Sequence, residues 1–559
     1  MKHLSITCLI LLSVFFTAKG QEPLLEYMQE EVNRNFTELQ KQNDKPYYIS
    51  YRVNDTYSAS ISSSFGAITG ENAKNTRQLT IDVRVGDYGL DNSHELRDNR
   101  GSSYFQSNKI FIPTENNEKA IKQALWFNTD EEYKTAVDRY NKVKANVAVK
   151  VENEDKSDDF SLEEVEQYYD KPFDDEITDF DFKKWTPIIK ELSKQFLKEP
   201  AIVYCRSNIN FKAIRKYFVS TEGAVLAHNV TFCRVYVSAR VKAEDGMVMP
   251  LYRSFFAYLP EDLPSKEEML KEVDEMIQIL TNLKNAPIVE PYQGPAILSS
   301  KASGVFFHEI FGHRVEGQRM KSEYSGQTFK KKIGEKVLPD EFVVYFDPTI
   351  LKYGDKDLYG SYKFDDQGIR GKKVSIVDNG ILKGFLMSRC PIKGALKSNG
   401  HGRAESGKAV TSRQSNLIVE STKDYSEEDI KNMLIEKLKN ENLEFGFYFS
   451  EVTGGFTTTG RFMPNSFNVT PTVVYKVFVD GSPDELVRGV DLVGTPLAMF
   501  SEISAAGGNS DIFTGTCGAE SGGIPVTGIS PTLFVKKIEM QKKYKSQTKP
   551  AILKRPDVK

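Results

Sequence analysis

Residues 304–313 read GVFFHEIFGH and place two imidazoles and a carboxylate close together. Glu309 directly follows His308, and His313 lies five positions after His308. A divalent metal takes neutral imidazole nitrogens as ligands, and a hydrolase needs a base beside the metal to deprotonate the attacking water. Because the whole chain has only six histidines, two of them next to a glutamate are an informative pair. The segment predicts a metal site with hydrolytic chemistry.

The spacing of the two histidines sets a requirement on the local backbone. Side chains five residues apart on a regular helix point about 140° away from each other, too far apart to share one ion. The common metallopeptidase spacing is four residues. A shared ion therefore requires either a π-bulge or a helix that ends near Gly312 and frees His313 to turn inward. The alternative is a surface helix that binds no metal.

A third protein ligand is needed, because a catalytic zinc site usually has three. The candidates are Cys517, His401, Glu316 and His228. We favour Cys517, since a thiolate is a strong zinc donor and the flanking Gly515 and Gly518 let its backbone approach a ligand closely.

Other side chains are candidates for roles around the metal. Glu309 is the candidate general base. Glu316, three positions after His313, suits a carboxylate that orients that imidazole. Arg403 suits the binding of an oxyanion or a substrate carboxylate, and it suits a structural ion pair equally well. His401, two positions before Arg403, is a candidate for the same surroundings.

The first twenty residues have the pattern of a secretory signal. Lys2 precedes an apolar stretch at 9–16, and small residues at 18 and 20 suit cleavage after Gly20. The apolar stretch is too short for a membrane-spanning helix. The residue directly after the cleavage site is Gln21 and not a cysteine, so a lipid anchor is not indicated. These features predict export, to a periplasm-like compartment, with an uncleaved anchor as the alternative.

Charge and cysteine content narrow the function classes. Loss of Lys2 and Lys19 changes the formal charge from −3 to −3 − 2 = −5, which argues against nucleic acid or an anionic membrane as the main partner. No later segment is apolar enough to span a membrane. The remaining cysteines lie far apart, so we expect no disulfide framework and expect two of them to be buried in strands. They are Cys205, Cys233, Cys390 and Cys517, of which the first two lie in strand-like runs.

The fold class is predicted to be α+β, in two domains. Residues 21–286 are expected to form an N-terminal α+β domain, with an antiparallel sheet and flanking helices. Residues 287–545 are richer in glycine and in short β-like runs, and predict a β-rich domain that carries the metal site. Residues 546–559 are expected to be a flexible tail.

A run of acidic residues interrupts the first domain. Residues 152–181 contain fourteen Asp and Glu against two Lys. They lack the ligand spacing of an EF-hand, so we predict a solvated loop with a short helix and not a calcium site.

A set of segments in fixed order resembles the TldD/PmbA family of zinc metallopeptidases. The order and approximate spacing hold from about residue 290 to 540, and the similarity is looser in the first domain. The chain keeps the metal motif, as TldD-type subunits do and PmbA-type subunits do not. The segments are 308–317, 333–337, 364–368, 379–384, 400–405, 454–455, 517–518, 525–526 and 530–533.

The resemblance implies one zinc ion per active subunit, held by His308, His313 and Cys517, with Glu309 as the catalytic glutamate. It implies cleavage of unfolded or short peptides, and a homodimer or a heterodimer with a second family member around an enclosed chamber. The chain departs from the family in its export signal, since familiar members are cytoplasmic. It also departs at residues 314–315, where the family has a small residue and where Arg314 and Val315 bear on access to the metal.

Two other functions are compatible with the sequence. A cysteine peptidase would use Cys517 as its nucleophile, which leaves the clustered histidine pair without a role. A non-catalytic, peptide-binding subunit of an envelope complex would have no need of an intact metal motif. For a peptidase, we expect an extended peptide to bind as an added strand at a sheet edge of the β-rich domain.

Overall fold

The computed structural model describes residues 22–96, 109–149, 155–462 and 466–543, together with Leu553 and Pro556. The predicted signal peptide, residues 1–20, lies outside the described residues, as does the predicted tail apart from those two positions. Within the described part of the chain, none of the helices combines the length and the apolarity needed to cross a bilayer.

The first part of the chain is a largely antiparallel sheet with helices packed against it. The strand order is β3-β2-β1-β5-β6, and both β4 and β7 pair with β6. The elements are α1 (Pro23–Leu39), β1 (Pro46–Ser64), β2 (Ala67–Val85), β3 (Ile110–Phe111), α2 (Glu118–Val149), β4 (Gln167–Tyr169), α3 (Phe182–Lys194), β5 (Ile202–Ser220), β6 (Val225–Lys242), β7 (Val248–Ala257) and α4 (Lys266–Asn285).

Strands β6 and β7 have two different faces. On one face Cys233, Val235 and Val237 are fully buried with side chains of α3 and α4. Since strand side chains alternate, Arg234 and Tyr236 lie on the opposite face, where they line a cavity shared with the second part of the chain. The expected burial of Cys233, and of Cys205 on β5, is confirmed.

The second part of the chain is β-rich. In its eleven-stranded sheet, β8 pairs with both β17 and β22, so the path β8-β17-β18-β20-β22 closes on itself. The elements are β8 (Tyr292–Leu298), α5 (Ser300–Ile310), α6 (Gln318–Lys321), β9 (Phe342–Phe346), β10 (Lys352–Tyr353), β11 (Lys356–Asp357), β12 (Val374–Asp378), β13 (Ile381–Leu382), β14 (Gly402–Arg403), β15 (Thr411–Ser412), β16 (Asn416–Ser421), α7 (Glu427–Glu441), β17 (Phe445–Thr457), β18 (Phe467–Phe478), β19 (Glu485–Val487), β20 (Val490–Gly494), α8 (Pro496–Ser501), β21 (Ile503–Ala519) and β22 (Gly522–Lys542).

The predicted α+β class, with a β-rich second part, is confirmed. The predicted domain boundary after residue 286 falls between α4 and β8 and stays a prediction. Residues 46–64 form one long strand, β1, whose pairing with β5 runs without interruption from Ser50 to Ser63.

Helix α5 is the buried centre of the second part. Ser299 caps its first turn by accepting a hydrogen bond from the Ala302 amide, and every residue from 302 to 310 is buried. The helix also lies unusually close to β22, because a Cβ added at Gly304 would lie 3.1 Å from the Gly528 carbonyl oxygen. The metal motif therefore begins in a helix whose side chains are packed against the rest of the second part.

Buried charges join the two parts of the chain. Arg389 donates to both carboxylate oxygens of Glu222 at 2.7 Å, and its guanidinium lies 3.8 Å from the centre of the Phe160 ring. Asp366 forms ion pairs with Lys216 at 2.9 Å and with Arg52 at 3.1 Å. These contacts fix β5 and β6 against the second part.

The acidic run does not match the predicted solvated loop throughout. Asp155 and Asp159 are buried. Asp159 contacts His94 at 2.9 Å and Lys321 at 3.1 Å, and Asp155 accepts a hydrogen bond from the Lys393 amide. The prediction was wrong here because cations and amides that are distant in sequence compensate these carboxylates.

Candidate metal centre

The metal motif lies at the point where α5 ends. The helix stops at Ile310, Phe311 has φ −120° and ψ −53°, and a single 3₁₀ turn follows from Gly312 to Arg314. The change of backbone direction frees His313 from the helical spacing. The five-residue step requires either a π-bulge or a helix end, and this chain has the helix end.

The three predicted zinc ligands lie together. Cys517 Sγ lies 3.3 Å from His313 Nε2, and the ring centres of His308 and His313 are 4.9 Å apart. The ligand atoms of all three residues are within 4.8 Å of one another, and all three residues are buried. Two donors bound to one tetrahedral zinc lie about 3.5 Å apart for a sulfur and a nitrogen, so these residues fit a metal ion.

The protonation of the cluster also suits a cation. Burial raises the pKa of the Cys517 thiol, but His313 and His308 outweigh it and hold that pKa well below the ordinary value. Burial lowers the pKa of His313, but Cys517 and Glu316 outweigh it and raise that pKa well above the ordinary value. Both directions favour a thiolate beside a protonated imidazole, and a metal ion bound here would take the place of that proton.

Glu316 orients His313 from the other side of the ring. Its carboxylate lies 3.2 Å from His313 Nδ1, so that nitrogen is engaged and Nε2 faces Cys517. Glu316 is fully buried and also accepts hydrogen bonds from Arg319 at 2.8 and 2.9 Å. Burial raises the pKa of Glu316, but His313, Arg319 and Arg413 lower it to about 2.

Cys517 is held in place by Arg413. This arginine is completely buried and donates to the Cys517 carbonyl oxygen at 2.7 Å and to Cys517 Sγ at 3.2 Å. Its Nε lies 3.4 Å from Glu316. The Arg413 guanidinium therefore links the Glu316 carboxylate, on one side of the His313 ring, to the Cys517 sulfur on the other side.

Glu309 lies beside the donors in a cavity of about 510 Å³. The carboxylate is buried, and burial raises its pKa even though His308 and His313 lower it. Strand β17 comes close to this side chain at Gly455, where an added Cβ would lie 2.8 Å from Glu309 Cγ. A carboxylate with a raised pKa beside a metal site can act as a general base.

The structure corrects two predicted site residues. His401 does not join the donors, because its Nε2 is 3.0 Å from Ser415 Oγ and its Nδ1 is 3.2 Å from the Asn399 carbonyl oxygen. Arg403 does not line the metal cavity. It donates to the carbonyl oxygens of Gln414 and Pro525 at 2.6 and 2.7 Å, so its role is structural, but through backbone hydrogen bonds and not through the ion pair that the sequence left open.

His228, another candidate for the third ligand, lies on β6 beside Phe364, with the two ring centres 5.8 Å apart. Burial lowers its pKa to about 3. Arg314, the departure from the family pattern, is also buried. It donates to the Glu309 carbonyl oxygen at 2.8 Å, so it stabilises the end of α5 and does not line the cavity.

Sequence reasoning missed Arg413 and Arg319. The position of Arg319, three residues after Glu316 in a short helix, is a local signal that could have been read as an ion pair. Arg413 has no such signal, because its partners lie about a hundred residues away in each direction.

The chain is similar to known metalloproteases. Residues 291–542 match the model of the PmbA/TldA metallopeptidase C-terminal domain. A metalloprotease of Methanocaldococcus jannaschii is 26% identical over 355 residues, 62% of this chain and 72% of that protein. A zinc metalloprotease TldD homolog of Saccharolobus solfataricus is 24% identical over 336 residues, 58% of this chain and 68% of that protein. The chain spans about half the length of several other curated metalloproteases.

The fold is shared with a solved structure. TldE from Thermococcus kodakarensis superposes with a TM-score of 0.61, over 92% of this chain and 100% of that one. At 14% identity, this likeness concerns the fold alone.

Glu316→Gln is expected to destabilise the protein by about 3–5 kcal/mol, because it removes the carboxylate that pairs with the buried Arg413 and one of the two that pair with Arg319. The folded-state pKa of about 2 lies below the ordinary value of 4.5, so the charge stabilises the fold above pH 4.5 and this contribution is lost as the pH falls toward 2. Urea unfolding at several pH values should show a difference between parent and variant that is constant above about pH 5 and narrows toward pH 2.

Glu335→Gln is the control, since Glu335 is exposed and, among the described residues, forms a surface ion pair with Lys332. We expect its effect to stay within about 0.5 kcal/mol at every pH. A Glu316→Gln protein as stable as its parent would contradict the assigned role of this carboxylate.

Proposed function

Because the chain belongs to the TldD/PmbA family of metallopeptidases, we propose that it is a zinc-dependent peptidase with Glu309 as general base. The observation that carries this proposal is the convergence of His308, His313 and Cys517 beside that buried carboxylate. The name of the zinc metalloprotease relative supports zinc as the metal, as does the thiolate ligand.

The chain's own residues divide the chemistry between them. A zinc ion, when bound, polarises the scissile carbonyl and acidifies the attacking water. Glu309 takes the proton from that water and passes it to the leaving amine. Glu316 keeps His313 in the tautomer that presents Nε2, and Arg413 holds Cys517 in place through hydrogen bonds to its carbonyl oxygen and its sulfur.

The substrate class that we propose is an unfolded or short peptide, bound in extended form. Residues 453–457 of β17 and 513–519 of β21 line the metal cavity. Among the described strands, β21 pairs only with β22, and β17 pairs with β8 only at Phe447–Phe449. The unpaired strand edges beside the metal suit the addition of a peptide strand, which binds backbone and tolerates many side chains.

Backbone N-methylation of a peptide substrate tests this mode. A methyl group on an amide that pairs with a strand edge removes the hydrogen bond, so methylation at alternating positions is expected to slow cleavage by roughly tenfold. Methylation of the intervening amides should have a smaller effect. Equal cleavage of all the methylated peptides would rule out strand addition.

Glu309→Gln is expected to abolish peptide cleavage, with a loss of at least roughly 100-fold in kcat. Its zinc content should stay that of the parent, because the residue is not among the three donors. Peptide cleavage followed by mass spectrometry, together with elemental analysis, measures both effects. Glu335→Gln serves again as the exposed control. Cleavage at the parent rate would show that another group is the base.

Cys517→Ala separates the metallopeptidase from the second candidate function, a cysteine peptidase. The 3.3 Å contact between Cys517 Sγ and His313 Nε2 favours that alternative as well. For a metallopeptidase we expect the variant to lose its zinc and a chelator to inactivate the parent, while Cys390→Ala keeps both zinc and activity. A parent that is inactivated by thiol alkylation but resists the chelator would be a cysteine peptidase.

Export and pairing complete the proposal, and both rest on the sequence. We propose that the protein acts in a periplasm-like compartment after cleavage behind Gly20, as a homodimer or with a second family member. The intact mass of the mature protein and its light-scattering mass are the measurements that decide these two points.

A further inference from the structure

Two strands of the N-terminal sheet form the side of the metal cavity opposite α5. Arg234 and Tyr236 on β6 and Tyr252 and Ser254 on β7 line the same cavity as the three metal donors. Tyr236 and Ser254 are direct partners in the β6–β7 ladder, and the rings of Tyr236 and Tyr252 stack at 5.4 Å. A substrate that fills this cavity would therefore also contact this wall.

Among the residues that the structure describes, no carboxylate pairs with Arg234. Its Nε and Nη2 atoms are buried without a hydrogen-bond partner. The guanidinium lies over the rings of Tyr359, at 4.2 Å, and Phe256, at 5.7 Å. Burial lowers its pKa, and only tyrosines oppose that effect. A buried guanidinium with aromatic neighbours alone is costly to keep, unless an anion binds there.

The other arginines nearby are paired. Arg319, which lines the same cavity, contacts Glu316 at 2.8 Å and Glu520 at 3.1 Å. Arg253, next to Ser254 on β7, contacts Glu451 at 2.9 Å and Glu272 at 3.0 Å. The lack of an acidic partner is thus particular to Arg234 among the arginines that line the described cavity.

A neutral donor lies next to Arg234. The hydroxyl of Ser254 is also buried without a hydrogen-bond partner, and the two residues are close neighbours across the β6–β7 ladder. Three polar atoms on one cavity wall, Nε and Nη2 of Arg234 and Oγ of Ser254, are therefore left without partners. Two guanidinium N–H groups and a hydroxyl together suit the two oxygens of a carboxylate.

We propose that Arg234 and Ser254 bind a carboxylate of the peptide substrate, either its C-terminal carboxylate or the side chain of an Asp or Glu. This inference rests on the proposed peptidase function and adds a charge preference to it. Strand addition recognises the main chain of the peptide, and Arg234 recognises a negative charge at a fixed distance from the metal donors.

Three pools of fluorescein-labelled hexapeptides test the proposal and separate the two sources of the carboxylate. The first lacks Asp and Glu and has a free C-terminus, the second lacks them and is amidated, and the third contains them and is amidated. We expect the parent zinc protein to show a kcat/KM roughly tenfold or more higher for the first or the third pool than for the second. The preferred pool identifies the source.

Arg234→Met should bring that ratio close to one, mainly through KM, and Arg234→Lys should keep part of it, since it keeps the charge without the fork. Arg240→Met is the matched control, because Arg240 lies on the same strand, is exposed and does not line the cavity. We expect it to keep the parent ratio. A parent without preference for a carboxylate, or a preference that survives in Arg234→Met, would overturn the proposal.

A structural or purely catalytic role gives a different pattern. Because Arg234 makes no ion pair with a described residue, Arg234→Met should melt no lower than the parent. A lower melting temperature with equal loss on all three pools would indicate a structural role. An equal fall in kcat on all pools at an unchanged melting temperature would indicate oxyanion stabilisation. Either result would overturn the proposal.

Binding to Glu309→Gln, measured by fluorescence anisotropy of the same pools, separates this inference from the proposed function. If the parent cleaves no pool but Glu309→Gln still prefers carboxylates in an Arg234-dependent way, the peptidase assignment fails and the inference stands. If all pools are cleaved and bound alike, the peptidase assignment stands and the inference fails.

Discussion

A single buried carboxylate, Glu316, determines how the metal donors are arranged. It is fully buried, and the positive groups of His313, Arg319 and Arg413 surround it. Each of these partners is also tied to the C-terminal hairpin of β21 and β22, at Cys517 or at Glu520. Because an unpaired buried charge is costly, this one carboxylate holds the end of α5, the loop at 413 and the hairpin in one arrangement.

That arrangement also explains how a thiolate persists in a buried site. Arg413 donates to both the carbonyl oxygen and the sulfur of Cys517, so the negative sulfur is compensated even before a cation arrives. A hydrogen bond to a thiolate withdraws charge from it. Cys517 would therefore donate less charge to a bound metal than a free thiolate does. The metal would lose less of its Lewis acidity than sulfur ligation usually costs it.

The sequence was sufficient where the chemistry was local. His308, Glu309 and His313 lie in one segment, and the five-residue step already required a local distortion, for which a helix end near Gly312 was one of two alternatives. Cys517 could be predicted as the third ligand because glycines flank it and because the family resemblance extends to it.

The sequence failed where burial and distant partners decide a residue's role. His401 and Arg403 read as site residues, yet their polar atoms are satisfied by Ser415 and by backbone carbonyls. Arg413 and Arg234 lie in stretches with no motif, and their roles follow only from what the fold brings next to them. The acidic run around Asp159 was misread for the same reason, since its cationic partners are far away in sequence.

The cavity is assembled from two parts of the chain, and under the proposed function this division separates catalysis from recognition. The donors and Glu309 belong to the β-rich part, where the fully packed α5 and the Glu316 network hold them rigid. The opposite wall belongs to β6 and β7, and the ion pair of Arg253 on β7 with Glu451 on β17 fixes this wall against the β-rich part. Side chains on this wall can vary without touching a metal ligand. The cavity between the two parts has a volume of about 510 Å³, which suits a short extended segment of the proposed peptide substrate, with the metal donors on one wall and Arg234 on the other.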